Sequence, residues 1–179
     1  MRPRTVAQLV LTICFSARAG AQEATSATDS AKAQPDGWMA GFALGVPGMG
    51  AGPIPELFTV GATFTRVRPN HVGADVSIGT MPYVMGLGVL PLGLRAGVAL
   101  PVSVAPHLLF IPSTGLSLLG IAGPGAVGGT GGVNAGASAV LYAGRVGLKT
   151  SLTGHRFTAM RGTVWLFEVA VVGVPANLH

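Results

Sequence analysis

Much of the chain alternates between apolar residues and small or polar residues with a period of two. In the segment 92–104, every second position is apolar, namely Leu92, Leu94, Ala96, Val98, Leu100, Val102 and Val104. The positions between them are small or polar, with Arg95 as the one charged residue. Successive side chains point to opposite faces in a β-strand, whereas helices repeat every 3.6 residues. The pattern therefore predicts a strand with one apolar face.

The same pattern recurs and divides the chain into eight segments of strand length. Glycine and proline, 28 and 13 in number, separate the apolar runs, and both residue types mark turns between strands. Segment 108–121 alternates least clearly, and Pro112 interrupts it. We predict an all-β fold with strands at 37–46, 56–67, 71–80, 92–104, 108–121, 132–142, 146–154 and 162–172.

The connections between these segments alternate in length. The connections at 68–70, 105–107 and 143–145 are short, and those at 47–55, 81–91, 122–131 and 155–161 are longer. Up-and-down barrels with an even number of strands have short turns at the end that carries both termini and longer loops at the other end. The spacing therefore predicts a closed antiparallel up-and-down β-barrel of about eight strands.

Charge is scarce for a water-soluble protein. Charged residues make up 9% of the chain, whereas about 25% is usual for soluble domains. Between Arg95 and Arg145 there are none. Only helices and closed barrels satisfy their backbone hydrogen bonds in hydrocarbon. We therefore predict a transmembrane β-barrel that turns its bulky apolar residues to lipid and encloses a lumen of Gly, Ala, Ser and Thr.

Four charged residues within the predicted strands lie on the face opposite the bulky apolar residues. They are Asp75, Arg95, Lys149 and Glu168. A charge on the lipid face near the middle of the membrane costs about 2–4 kcal/mol, so these side chains should point inward. Hairpins that close near 80/92 and 154/162 bring Asp75 close to Arg95, and Lys149 close to Glu168. We predict two interior ion pairs with a structural role.

The first 21 residues have the pattern of a secretory signal. Arg2 and Arg4 precede an apolar run at 6–15, and Ala19-Gly20-Ala21 is a small-x-small cleavage site. We predict export, with a flexible periplasmic lead-in at 22–36, the barrel at 37–172 and a tail at 173–179. The single cysteine, Cys14, falls within the signal, so disulfides and thiolate metal sites are not expected in the mature chain.

Motifs for catalysis or cofactor binding are weak. The glycine pattern at 123–128 lacks the acidic residue and the βαβ context that dinucleotide binding requires. The histidines 71, 107, 155 and 179 are scattered through predicted turns, a loop and the tail, where we expect them to be solvated. We predict no catalytic, cofactor or metal site, so the protein is not expected to be an enzyme.

The segment 37–172 resembles the small eight-stranded outer-membrane barrels of the OmpA and OmpX type in its strand plan. The resemblance implies an outer-membrane location, a packed interior without an open pore, and a structural or surface-interaction role that rests on the outer loops. Membrane lipid, lipopolysaccharide and the barrel-assembly machinery are the partners it implies. Without Arg2, Arg4 and Arg18 the basic residues fall from 11 to eight, against six acidic ones, so nucleic acid is not expected as a partner.

Two alternatives remain open from the sequence. One is an outer-membrane enzyme with a site on its loops, for which His155 is the candidate residue. The other is a secreted soluble β-sheet protein that binds lipid. The oligomeric state is also open.

Overall fold

The computed structural model describes residues 36–49, 52–53 and 58–175. The predicted signal 1–21, the lead-in up to residue 35 and the end of the tail lie outside these residues. The strands are β1 Gly37–Met49, β2 Gly52–Pro53, β3 Thr59–Val67, β4 Gly73–Thr80, β5 Leu90–Ala99, β6 Val102–Ala105, β7 Leu108–Gly123, β8 Ala126–Ala143, β9 Val146–Phe157 and β10 Val164–Gly173, with one short helix, α1 Pro82–Met85. Within the described residues, no helix has the length and apolar character to cross a membrane.

The strands form one antiparallel sheet that closes on itself. Its order is β10-β9-β8-β7-β5-β4-β3-β1, and β1 pairs back to β10 from Ala40↔Gly173 to Met49↔Val164. The short strand β6 pairs with β7 further along from β5, and the two-residue strand β2 pairs antiparallel with the last two residues of β1. The described residues therefore form a closed antiparallel barrel with eight strand positions, as the sequence predicted.

The two ends of the barrel differ. Both Gly37 and Gly173 lie at one end, together with the short turns at 68–72, 106–107 and 144–145; we call it the terminal end. The opposite end, the loop end, carries the connection with α1 and the connection at 158–163. These positions follow the predicted alternation of short turns and longer loops.

The prediction of a loop at 122–131 is wrong. Strands β7 and β8 continue through most of it, pair from Leu108↔Leu141 to Gly123↔Ala126, and turn at Pro124-Gly125. Gly125 has a φ of +77°, a conformation that glycine adopts without strain. The glycine-rich composition suggested a loop, but backbone hydrogen bonds between strands need no side chains. The result is a long hairpin at the loop end.

The outer surface of the barrel is apolar. Phe42 is 84% exposed and Leu116 is 66% exposed, although both lie within long strands. Monomeric soluble proteins rarely expose contiguous apolar patches of more than a few hundred Å². The surface fits a lipid environment and is formed by residues that include Phe42, Leu44, Val98, Leu116, Val133, Leu141, Leu148, Phe167 and Val171.

The interior of the terminal end is a packed apolar cluster, which corrects the predicted lumen of small and hydroxyl residues. Its larger members are Met39, Val67, Leu109, Ile111, Val140 and Val172, each at most 1% exposed. Leu109 and Ile111 point inward from β7, while outward positions such as Leu116 on the same strand are apolar too. Apolar residues on both faces explain why the sequence of β7 alternates poorly.

Two glycines face each other where β5 and β7 cross the middle of the barrel. Gly97 pairs with Gly115, and a Cβ added to Gly115 would overlap the carbonyl oxygen of Ala96. We expect Gly115→Ala to destabilise the barrel by about 1–3 kcal/mol, because the clash is with backbone that cannot move aside easily.

Gly120→Ala on the same strand is the matched control. A Cβ there meets only the Leu92 carbonyl oxygen, at 3.8 Å. The unfolding midpoint in urea, measured for both variants in the same detergent, checks this prediction. Equal stability of the two variants would contradict the close approach of β5 and β7.

Candidate functional site

The four charged residues singled out in the sequence lie together inside the barrel. Asp75 is on β4, Arg95 on β5, Lys149 on β9 and Glu168 on β10, and each is at most 9% exposed. In the closed order of strands, β4 lies opposite β9 and β5 lies opposite β10. The charges therefore face one another across the lumen.

Three ion pairs connect these side chains. Arg95 Nη2 lies 3.3 Å from Asp75 Oδ2, and Arg95 Nη1 lies 3.1 Å from Glu168 Oε2. Lys149 Nζ lies 3.0 Å from Asp75 Oδ1. The structure thus brings Asp75 and Arg95 together, as the hairpin argument expected.

The expected pair of Lys149 with Glu168 is not present, because each residue binds a partner across the barrel. In the register of β9 and β10, Lys149 lies opposite Ala170 and Glu168 lies opposite Ser151. The two residues are diagonal neighbours, as Asp75 and Arg95 are. Hairpin reasoning compares only adjacent strands, whereas a narrow closed lumen makes the opposite strand equally accessible to a long side chain.

Hydroxyl groups complete the hydrogen bonding of this network. Lys149 Nζ donates to Thr63 Oγ1 at 3.1 Å and to Thr65 Oγ1 at 2.9 Å, in addition to its bond with Asp75. These three bonds use all the donors of the ammonium group. Thr65 in turn donates to Asp75 at 2.7 Å.

The Arg95–Glu168 side of the network is supported in the same way. Arg95 Nη1 also donates to Thr153 Oγ1 at 2.8 Å, and Ser151 donates to Glu168 at 3.3 Å. Buried charges are tolerated only when partners and hydrogen bonds offset their lost hydration. Two cations and two anions give this network a formal charge of zero, and its two cross-lumen bridges obstruct the barrel.

A second polar cluster lies towards the loop end. Ser117 Oγ lies 2.8 Å from His155 Nδ1, and Asn134 Nδ2 donates to the same oxygen at 2.8 Å. Ser117 Oγ accepts the hydrogen bond from Asn134 and can donate its own proton to His155 Nδ1 when that nitrogen is unprotonated. We therefore assign the imidazole proton to Nε2. His155 is 7% exposed, which corrects the expectation that it is solvated in a loop.

This cluster differs from a catalytic triad. In a Ser-His-acid site, an acidic group orients the imidazole from the nitrogen that does not face the serine. The corresponding nitrogen, His155 Nε2, is buried and has no hydrogen-bond partner among the described residues. Nor do His, Cys, Asp and Glu side chains of the described part of the chain form a group that could hold a metal ion.

The other histidines lie apart from the cluster. His71 and His107 are exposed in turns at the terminal end, where His107 meets the ring of Tyr142 edge-on with the centroids 5.5 Å apart. His179 lies outside the described residues. His155 is therefore the one histidine of the described chain that lies in the lumen.

A pocket lies between the charged network and the loop end. Its volume is about 230 Å³, and its lining includes the apolar side chains of Met49, Leu119, Phe157, Met160 and Leu166. Arg95, Ser117, His155 and Glu168 provide the polar part of the lining. The interior therefore has three levels, with the apolar cluster at the terminal end, the charged network in the middle and the pocket at the loop end.

A closed barrel with an apolar exterior and charges inside is the architecture of small membrane-spanning β-barrels. Comparison with known proteins agrees on the fold. No family model matches the chain, and no curated protein matches its sequence. The chain is nevertheless similar to solved structures of outer-membrane barrels.

Three of these structures illustrate the likeness. The N-terminal β-barrel domain of Pseudomonas aeruginosa OprF matches with a TM-score of 0.57 and 16% identity, over 79% of this chain and 99% of that domain. Neisserial surface protein A matches with a TM-score of 0.51 and 11% identity, over 76% and 94%. Ail, the attachment invasion locus protein of Yersinia pestis, matches with a TM-score of 0.51 and 8% identity, over 78% and 97%. The chain has the fold of the small outer-membrane β-barrels.

Proposed function

We propose that this protein is exported through its N-terminal signal and resides in a bacterial outer membrane as a closed barrel with a structural or surface-interaction role. The observation that carries the proposal is the inverted distribution of polarity, with an apolar exterior around a buried ionic network. A soluble lipid-binding barrel needs a polar exterior, so this distribution argues against the secreted alternative.

The names of the similar proteins support the surface role. One of them is called a surface protein and another an attachment invasion locus protein. Arg156 and Arg161 are exposed at the loop end of this chain, where they can contact the phosphates of lipopolysaccharide. Membrane lipid is the main partner in this proposal, with the assembly machinery of the outer membrane acting during insertion.

An enzymatic role has less support. In the described part of the chain, the Ser117–His155 contact is the one feature that resembles a nucleophile and its base, but Asn134 donates a hydrogen bond to the serine oxygen. That bond stabilises the lone pair that would have to attack a substrate. The cluster is also enclosed in the lumen, away from the exposed loops where the sequence placed a possible site.

A conductance measurement tests the absence of an open pore. We expect the purified protein to produce no stable conductance steps in a planar lipid bilayer, because the ionic bridges and the apolar cluster both obstruct the lumen. Eight-stranded barrels leave interior space only for side chains. A general porin in the same bilayer is the positive control. Reproducible single-channel steps from the folded protein would overturn this part of the proposal.

A further inference from the structure

A groove on the outer surface crosses three neighbouring strands, β9, β10 and β1; we call it the outer groove. In the register of the sheet, Phe167 lies between Leu152 on β9 and Val46 on β1. These three residues line the groove together with Gly48 and Trp165, and its volume is about 240 Å³. An apolar cavity of about 150 Å³ is enough to bind benzene, so the outer groove can hold part of an alkyl chain.

The outer groove lies in the half of the barrel wall nearest the loop end. It begins at Val46, directly after Gly45, which pairs with Glu168 of the charged network. From there β1 continues to Met49 at the loop end. The longer loops of outer-membrane barrels are extracellular, so this half of the wall lies in the outer leaflet. The acyl chains of that leaflet are therefore the molecules that reach the groove.

Trp165 separates the outer groove from a basic residue. It pairs with Gly154 of β9, and a Cβ added to Gly154 would lie 2.9 Å from Cζ3 of the indole. The indole therefore lies across β9, over the position that has no side chain. Arg156 is exposed on the same strand, about 7 Å further towards the loop end at the usual rise of a strand. A chain in the groove would have its polar head next to Arg156.

The basic residues at the loop end are suited to an anionic headgroup. Arg156 and Arg161 belong to the same β9–β10 hairpin, and both are exposed. In the described ranges the carboxylates are those of Asp36 at the terminal end and of Asp75 and Glu168 inside the lumen. Neither arginine therefore has a carboxylate partner among these residues. Guanidinium groups bind phosphate through paired, charge-assisted hydrogen bonds.

We propose that the outer groove binds one acyl chain of a lipopolysaccharide molecule whose lipid A phosphates contact Arg156 and Arg161. Trp165 lies between the chain and the phosphates, at the interfacial depth that indole rings favour. The site is non-covalent. This inference rests on the proposed outer-membrane location and deepens it, because it assigns one bound glycolipid to one place on the barrel wall.

Native mass spectrometry of the folded protein in detergent tests the proposal. Bisphosphoryl lipid A is added stepwise, and the spectra count the lipid molecules that stay bound. We expect one lipid to bind saturably. Lipid A without its phosphates and phosphatidylglycerol are the comparison lipids. Both should bind several-fold more weakly, because the first lacks the charge and the second offers one phosphate in place of two.

Val46→Phe tests the outer groove itself. The larger side chain fills the space, so we expect binding to weaken about tenfold, the equivalent of roughly two methylenes excluded from the groove. Leu44→Phe is the matched control. Leu44 is exposed on the same strand, two residues away, and does not line the groove, so this variant should bind like the parent protein.

Arg156→Ala tests the contact with phosphate. Binding of bisphosphoryl lipid A should weaken about two- to fivefold, the usual value of an exposed ion pair, while binding of the dephosphorylated form stays unchanged. Arg145→Ala is the control, because Arg145 is exposed in a turn at the terminal end. It should leave the binding of both lipids unchanged.

Each protein is first checked for the shift of its band on boiling, so loss of the barrel, which would contradict the proposed function, is recognised separately from loss of the site. In folded protein, four results would each overturn the proposal. They are the lack of a saturable lipid, unchanged binding by Val46→Phe, unchanged binding by Arg156→Ala, and equal binding of phosphatidylglycerol and lipid A.

Discussion

Arg95→Ala is expected to lower the free energy of unfolding of the barrel by about 3–5 kcal/mol, the usual cost of removing one partner from a buried ion pair. Arg95 bonds both carboxylates of the network. Without it, Asp75 keeps Lys149 as its cation, but Glu168 keeps only the hydrogen bond from Ser151. The large effect comes from the buried carboxylate that is left uncompensated.

Urea unfolding of the purified protein, followed by the fluorescence of Trp38 and Trp165, measures this change. Arg156→Ala is the matched control, since Arg156 is exposed at the end of β9 and should change stability by less than about 0.5 kcal/mol. Arg95→Ala with the same unfolding midpoint as Arg156→Ala would mean that water enters the lumen and solvates the charges.

Leu116→Arg is expected to have the second large effect. Leu116 is on the outer face near the middle of β7, between Ala96 on β5 and Val133 on β8. A cationic side chain at the bilayer midplane destabilises a membrane barrel by about 2–4 kcal/mol. We therefore expect a marked loss of stability in lipid vesicles and less folded protein in the envelope.

Val127→Arg is the matched control for Leu116→Arg. Val127 is 89% exposed and lies near the turn of the β7–β8 hairpin, beyond the mid-barrel strands. In water, both substitutions replace an exposed apolar residue with a charge and should be harmless. If Leu116→Arg proves as mild as Val127→Arg in lipid vesicles, the outer surface does not face hydrocarbon.

The parts of the fold that followed from the sequence depend on local rules. The alternation of apolar residues with small or polar ones identified the strands, because the outward positions near the middle of the barrel share the same surroundings and are apolar. The alternation of loop lengths gave the topology. The inward direction of Asp75, Arg95, Lys149 and Glu168 followed from the cost of a charge in lipid, and it needed no knowledge of the tertiary structure.

The parts that the sequence did not give depend on contacts between distant strands. Lys149 binds Asp75 from the opposite side of the barrel, and no hairpin register could indicate this. The pairing of Ser117 with His155 and Asn134 joins three strands in the same way. A signal for it did exist, because Ser117 shares the inward parity of β7 and Asn134 is the one amide side chain between Arg95 and Arg145.

The apolar cluster at the terminal end was missed for a related reason. An interior of small and hydroxyl residues was expected throughout, but Leu109 and Ile111 fill the lumen there. Their presence makes the barrel asymmetric along its axis. Packed side chains fill the terminal end, whereas a pocket lies towards the loop end.

The most direct test of the account is the electrophoretic mobility of the protein in the outer-membrane fraction, compared with and without boiling. The full precursor is expressed, the envelope is separated on a sucrose gradient, and the samples are run in SDS. A closed barrel resists SDS until it is heated, so we predict the protein in the outer-membrane fraction with a clear shift of its band on boiling. A soluble periplasmic protein without that shift would contradict the account.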